Sequence, residues 1–537
     1  LTRVLHDLLN ASADRHPEKQ AVFFKKAGLT YGAISRSCRN LGGLLSAIGV
    51  KRGDRVAFFL EKRFEKVISV FGISMAGGVM VPIRRLLQTH QVAHIIQNSG
   101  AKVLITTYSR VADIVDGLPQ THGLEKIIAI GDKGQRKNIS SAAIEIIDWE
   151  QAINSNIPYK NVHTIDTDLA AILYTSGSTG QPKGVVLSHL NVVEGAKRVS
   201  EYLKISERDR LLSILTFSFD YGLNQLTSAF LNGAEIVLLD YLFPRDILGA
   251  VQNYEITGLA AVATTWNQLL QRPWDGESMK SVRYITNTGG AIPKNFVIEL
   301  RRRLPDAEIY LMYGLTEAFR STYLEPKLVD EKPTSIGKAI PGEEIMVLDE
   351  KNKPVGAGQI GELVHRGILV AQGYWNEPDL TAARFRPNPM QPPEVPNREI
   401  VVYSGDYVRV DGEGFLYFVG RKDEMIKTAS NRVSPTEVEE VIYSSGKIQD
   451  VIVMGIPHEI YGQVIKAIMV ARPDVIVGED EIREHCRNLL PPYMVPSELE
   501  LRAELPRNAN GKLDRSSVKK EVLNALETKI GMGQADE

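Results

Sequence analysis

Short β-branched runs alternate with longer amphipathic stretches through roughly the first 400 residues, and no other feature limits the possible folds as strongly. Residues 234–240 read as a strand, 244–254 as a helix and 258–265 as a second strand, and 295–304 with 308–312 repeat the unit. Strands separated by crossover helices pair in parallel, so the predicted class is α/β, with mainly parallel sheets covered by helices. Residues 387–396 hold five prolines in ten. Each proline removes a backbone donor and fixes φ, so the segment is an excursion loop before a strand resumes at Ile400. From Tyr407 the rhythm becomes strand (407–410), turn (Asp411-Gly412-Glu413-Gly414) and strand (415–419). A polar run, Gly420-Arg421-Lys422-Asp423-Glu424, follows. Beyond it Ser434-Pro435-Thr436-Glu437 has the form of a capping box with proline in the first turn, predicting a helix over 436–445. Strands at 451–457 and 463–471 and a helix near 479–490 complete a small α+β unit. The domain boundary falls at 421–423, between a large domain (1–420) and a small one (424–537). No internal repeat is visible, and residues 532–537 read as a disordered tail.

A chain of 537 residues is too long for one core, and about 100–200 residues per domain suggests two to four units. Its 63 basic and 65 acidic residues leave a formal charge of −2, which provides no general field for nucleic acid or an anionic membrane. Cys38 and Cys486 are the two cysteines, too far apart in sequence for a disulfide framework or a zinc spacing. Apolar runs such as Val56-Ala57-Phe58-Phe59-Leu60 are far shorter than the ~18 residues of a membrane span, and the amino terminus lacks a signal-peptide pattern. The expected protein is soluble and cytoplasmic, without a membrane span or a nucleic-acid partner.

The chemistry concentrates in Tyr174-Thr175-Ser176-Gly177-Ser178-Thr179-Gly180-Gln181-Pro182-Lys183-Gly184. Glycines let successive N–H groups converge on one anion, hydroxyls add donors, and Lys183 adds a mobile positive charge, so this is a polyphosphate loop. It is not a Walker A loop, because Gly180-Gln181-Pro182-Lys183 lacks the Gly-Lys-Ser/Thr step.

Four further motifs follow: Tyr313-Gly314-Leu315-Thr316-Glu317, Tyr403-Ser404-Gly405-Asp406, Gly420-Arg421-Lys422-Asp423, and a run from Pro506 to Asp514 containing Asn510-Gly511-Lys512. With the phosphate loop, in this order, they make the chain resemble the adenylate-forming superfamily of acyl-CoA synthetases, luciferases and nonribosomal-peptide adenylation domains over nearly its whole length. The resemblance implies a large N-terminal domain of helix-covered sheets plus a β-barrel-like subdomain, and a small mobile α+β C-terminal domain. It implies ATP and Mg²⁺ as cofactors and attack of a carboxylate on the α-phosphorus of ATP, releasing pyrophosphate. It assigns Thr175, Ser176, Gly177, Ser178, Thr179 and Lys183 to the β- and γ-phosphates, Thr316 to the α-phosphate and Glu317 to the metal. Tyr313 and Gly314 with the backbone of Gly289, Gly290 and Ala291 take adenine, Asp406 and Arg421 the ribose. Lys512 bridges the reacting carboxylate and the α-phosphate, although beside Gly511 in an Asn-rich turn it would by itself read as a solvated surface residue. Asp423 matches the hinge about which the small domain swings before a thiol attacks.

Two departures stand out. Lys427-Thr428-Ala429-Ser430-Asn431-Arg432 has Ser430 where many relatives have glycine, which bears on the width of the thiol tunnel. Pro82-Ile83-Arg84-Arg85 replaces a common Asn-Pro pair and reads as a solvated basic turn.

By family analogy Phe217-Ser218-Phe219-Asp220-Tyr221-Gly222 lines the acyl pocket, with Trp266 and Phe319 as further walls or as plain core. Phe219-Asp220 resembles amino-acid-activating domains, in which the aspartate meets an α-ammonium; equally, Asp220 meets an internal donor. The wording around both motifs resembles stand-alone prolyl-carrier-protein ligases and exosortase-associated acyl ligases. The expected substrate is a small carboxylate, an L-proline-like amino acid first, passed to a carrier protein in trans. Alternatives are a medium-chain acyl-CoA ligase using free CoA and a non-catalytic nucleotide sensor.

Overall fold

A computed structural model describes residues 2–119, 122–132, 134, 144–154, 157–176, 182–274, 277–290, 292–422, 424–428, 431–458, 461–473, 475–508 and 511–533. Two sheets organise the large N-terminal part. The first has seven strands in the order Glu145–Asp148, Lys126–Ile130, Val103–Thr107, Arg55–Phe59, Val79–Ile83, Leu169–Ser176, Pro182–Ser188. Its neighbours are parallel up to the last pair, which is antiparallel. Val103–Thr107 and Val79–Ile83 are buried along their whole length, as strands covered on both faces must be.

In the second sheet Glu235–Leu238, Arg210–Ser213, Gly258–Ala261, Tyr284–Asn287 and Glu308–Tyr313 form a parallel run. It continues through antiparallel strands Thr322–Leu324, Ser335–Ala339, Leu416–Arg421, Ile400–Val410, Ile360–Arg366 and Glu344–Leu348. The antiparallel strands are thus bonded directly onto the edge of the parallel ones. That join places Tyr313 and Asp406 within reach of each other.

The smaller C-terminal domain builds a third sheet from Asn431–Val433, Ile426–Thr428, Gly462–Ala471, Ile448–His458 and Glu498–Leu501. One face packs Val438, Ile442, Ile482 and Cys486 from the helices Pro435–Ser444 and Glu479–Leu489. The other receives Val518 and Val522 of the helix Arg515–Gly533.

The predicted elements are present with shifted ends. The strand expected over 258–265 stops at Ala261, and Ala263–Leu270 is a helix; the burial of Trp266 and Leu269 in the large core outweighs the strand preference of β-branched Thr264 and Thr265. The 436–445 helix begins at Pro435, and Ser434 Oγ accepts from Glu437 N at 3.2 Å, the forward half of the expected capping box. Residues 388–399, with four prolines, are irregular, but Pro387, expected in the same loop, ends the short strand Phe385–Pro387 opposite Ile400, where an edge position tolerates proline. The last helix runs through Gly533, two residues into the stretch read as a tail. Among the described residues no helix is long and apolar enough to cross a membrane.

Candidate active site

The strands flanking the phosphate loop set Thr175 opposite Lys183. Gly177, Ser178 and Thr179 lie outside the described residues, as do Ala291 and Asp423 and the side chain of Ser176. Alongside Pro182–Ser188 runs a segment whose Gln372 N donates to Val186 O (2.8 Å) and whose Trp375 N donates to Gly184 O (2.7 Å). From the same segment Ala371 N donates to Glu317 O at 2.8 Å, and Tyr374 Oη donates to Glu317 Oε1 at 2.6 Å. Glu317 is thereby fixed beside the strand carrying Lys183. Burial and the neighbouring Glu317 charge push the Tyr374 phenol well up, so it remains a donor.

Thr316–Ala318 is a short 3₁₀ turn following the strand Glu308–Tyr313. Phe319, which ends it, has φ of +54° and ψ of −46°, near the rare and strained γ-turn conformation, a sparsely populated backbone that costs on the order of 1–3 kcal/mol. The turn lays the Phe319 ring on Gly195 of the helix His189–Leu203, where a Cβ would stand 2.3 Å from the ring. It also turns Arg320 towards Asp220.

Asp220 opens the helix Asp220–Asn232. Arg320 Nη1 donates to its Oδ2 at 2.5 Å and Thr316 Oγ1 donates to its Oδ1 at 3.2 Å. Both charged residues are buried, Asp220 3% and Arg320 2% exposed. The guanidinium lies 4.9 Å from the centroid of the Tyr221 ring and 5.6 Å from that of Phe319. Of the two partners open to Asp220, the structure supplies the internal one.

Asp406, on the strand Ile400–Val410, accepts from Tyr313 Oη at 2.5 Å and stands 3.2 Å from Arg421 Nε. Burial raises its carboxyl above the usual carboxylate range, with Arg421 and the Tyr313 hydroxyl opposing. Burial and Asp406 together raise Tyr313. Tyr313, read in the sequence with adenine, and Asp406 and Arg421, read together with the ribose, form one contact group.

Lys512 sits in a hairpin closed by Asn508 N donating to Lys512 O (2.7 Å) and Lys512 N donating to Asn508 Oδ1 (3.1 Å). The hairpin docks on the large domain through Thr264 Oγ1, which donates to Gly511 O at 2.8 Å, while Asn267 Nδ2 of the same helix donates to Gln449 O at 2.9 Å. Lys512 Nζ stands 5.5 Å from the centroid of the Phe219 ring and 3.1 Å from where a Cβ on Gly289 would be. Burial holds the amine below the ordinary lysine range; Asp220 and Asp406 oppose this, and Arg421 and Arg84 add to it. Both carboxylates act on this one amine. Asn287 Nδ2 donates to Gly290 O at 3.3 Å, fixing the segment beside Gly289.

Trp266 is fully buried, with Nε1 donating to Thr286 O at 3.3 Å, and Phe319 is fully buried on Gly195; both are core. Arg84 corrects the reading of its turn as solvated. Arg85 is exposed beside Asp240 (3.7 Å), but Arg84 is half-buried, and burial with Arg85 pushes its guanidinium down to about 10. Sequence reasoning missed Arg320, Tyr374 and Arg84. The signal for Arg320 was a lone charge in the buried run Phe319-Arg320-Ser321-Thr322.

Residues 9–375 match the family of AMP-binding enzymes and residues 437–512 the AMP-binding enzyme C-terminal domain. The chain belongs to the AMP-binding enzyme family. Among its relatives, bacitracin synthase 3 of Bacillus licheniformis is 29% identical over 523 residues, 96% of this chain but 8% of its own length. A long-chain-fatty-acid–CoA ligase of Bacillus subtilis (strain 168) is 28% identical over 96% of this chain and 93% of its own. The chain spans between 6% and 10% of the length of the first peptide synthetases it matches. Of solved structures, o-succinylbenzoate coenzyme A synthetase (MenE) from Bacillus subtilis, in complex with ATP and magnesium ion, superposes with a TM-score of 0.80 at 26% identity, covering 95% of this chain and 99% of that one. The anthranilate CoA ligase AuaEII in complex with anthranoyl-AMP has a TM-score of 0.87 at 24% identity and 98% coverage of both chains, a likeness of fold.

Proposed function

We propose that the protein activates a small carboxylate with ATP, forming an acyl-adenylate and pyrophosphate, and then passes the acyl group to a phosphopantetheine thiol of a carrier protein or CoA. The carrying observation is Lys512, delivered by the small domain onto Gly289 and Phe219. The half-buried amine, whose charge Asp220 and Asp406 favour, supports a cation shared by the reacting carboxylate and the α-phosphate.

The residues divide the work. Thr175, Ser176, Ser178, Thr179 and Lys183 hold the β- and γ-phosphates, and the Thr316 hydroxyl turns from Asp220, its partner in this structure, to donate to an α-phosphate oxygen. Tyr313 stacks on adenine over the Gly289-Gly290-Ala291 backbone, and Asp406 accepts from the ribose hydroxyls beside Arg421. Glu317, one of its oxygens tied to Tyr374, offers the single carboxylate that a phosphate-bound Mg²⁺ takes, since that ion is held by one or two carboxylates and phosphate oxygens. When bound, the ion neutralises charge on the departing pyrophosphate. A carboxylate oxygen attacks the α-phosphorus, the bond to the β-phosphate bridge breaks, and Lys512 stabilises charge that peaks in the transition state. The thiol sulfur then attacks the acyl carbon and AMP leaves. Between the steps the small domain (424–537) turns on the 421–423 hinge, withdrawing Lys512.

For the acid itself, the Asp220–Arg320 pair supports one without an α-ammonium. An L-proline-like substrate would have to displace a buried guanidinium from its carboxylate, at the cost of leaving that guanidinium unpaired. Both a carrier protein and CoA fit the thiol step. ATP–pyrophosphate exchange across a carboxylate panel, followed by addition of a phosphopantetheinylated carrier or CoA, tests the reading: exchange with one acid class and thioester with one acceptor are expected. Hydrolysis of ATP to ADP, or binding without turnover as a nucleotide sensor would show, contradicts it.

A further inference from the structure

The Asp220–Arg320 pair leaves part of the guanidinium unused. Arg320 Nη1 donates to Asp220 Oδ2 (2.5 Å) and to Phe319 O (2.7 Å), yet Nε and Nη2 are buried with no hydrogen-bond partner among the described residues. One turn along the helix from Asp220, on the same face, Asn224 is 2% exposed and its Nδ2 likewise has no partner among the described residues. Buried donors are nearly always satisfied, and one left unmade keeps the full cost of its desolvation. Three such donors lie on Asp220's own partner and helix face, and the Lys512 amine stands 5.5 Å from the ring centroid of Phe219, the residue preceding Asp220.

Resting on the adenylation reading above, we infer that the acid carries a second oxygen acceptor, a carboxylate or a carbonyl, on its carbon skeleton. Arg320 Nε and Nη2 and Asn224 Nδ2 bind that oxygen, while Lys512 handles the reacting carboxylate. A planar guanidinium fixed at one end by Asp220 presents its remaining donors in a set direction, which suits an sp² oxygen. A plain alkyl chain would leave these donors unmade. An α-ammonium would bring a like charge to Arg320. The pair is therefore a selectivity device, and Asp220 acts by orienting Arg320.

Pyrophosphate exchange with acids matched in chain length tests this, using unsubstituted, ω-carboxy, oxo and 2-amino acids of three to ten carbons. The ω-carboxy or oxo acid is expected to exceed the unsubstituted one by about 10⁴-fold in kcat/KM, the lower end of the range over which a hydrogen-bonding site rejects an analogue that leaves its groups unpaired. Arg320→Lys keeps a cation for Asp220 but removes the planar fork. It is expected to raise KM for the preferred acid about tenfold or more with KM for ATP unchanged, and Asn224→Leu to do the same more weakly. Wild-type preference for the unsubstituted or 2-amino acid overturns the inference, as does an undiminished preference in Arg320→Lys. Silence with every acid overturns the adenylation reading together with it.

Discussion

Lys512 lies against Gly289, with Cε and Nζ at 3.0 and 3.1 Å from the point a Cβ on Gly289 would occupy. The glycine's φ of +81° is a left-handed conformation that also disfavours a side chain. Gly289→Ala is therefore expected to displace the amine by a few tenths of an ångström and lower adenylation about tenfold, misplacement by 1 Å being worth roughly a hundredfold. Thioester formation from supplied adenylate should change little. Single-turnover rates of the two halves decide this.

Removing the amine altogether has a larger effect. Lys512→Ala should cut pyrophosphate exchange on the order of 10²–10³ fold, the scale for losing one transition-state donor, with the circular dichroism spectrum retained. Near-normal exchange contradicts the role.

The same amine sets an alkaline limit. Burial holds Lys512 below the ordinary lysine range, and the charged form is the one that stabilises the transition state. Adenylation should fall as pH rises through that lowered value, earlier than for an exposed lysine. Lys512→Arg, charged throughout, should lose this limb while losing rate at all pH values. The pH profile of kcat for pyrophosphate exchange reads it.

At the nucleotide end the sign is opposite. Burial raises Asp406 and Tyr313 Oη restrains the rise, while the ribose hydroxyls need the ionised acceptor. Affinity for ATP should therefore weaken as pH falls through the raised value. Tyr313→Phe removes the restraint, so its KM for ATP should climb at a higher pH than the wild type's, measurable between pH 5 and 8.

Asp423→Pro probes the domain rotation. Fixing φ at the proposed hinge should spare adenylate formation and slow thioester formation. Equal loss of both half-reactions counts against a hinge there.

The parallel sheets were legible because strands covered on both faces read as unbroken apolar runs, such as Val103-Leu104-Ile105, and crossover helices announce themselves by their period. The end of the strand at Ala261 was not, since Thr264 and Thr265 favour strand locally and the burial of Trp266 and Leu269 that carries the helix is a tertiary contact. Site motifs were legible where chemistry is carried by short contiguous runs. Pairings across the chain were not: Arg320 meets Asp220 at a separation of 100 residues, and nothing local to either distinguishes an internal partner from a substrate. Arg84 looked solvated because a basic turn usually is, and only the packing shows its burial.

The central claim is tested most directly by incubating the protein with ATP, Mg²⁺ and a mixed carboxylate library, and reading the trapped nucleotide species by mass. A species whose mass equals one acid plus AMP less water, with stoichiometric pyrophosphate and its loss in Lys512→Ala, is the predicted result. Unconsumed ATP with every acid, or ADP and phosphate in place of AMP and pyrophosphate, would contradict it.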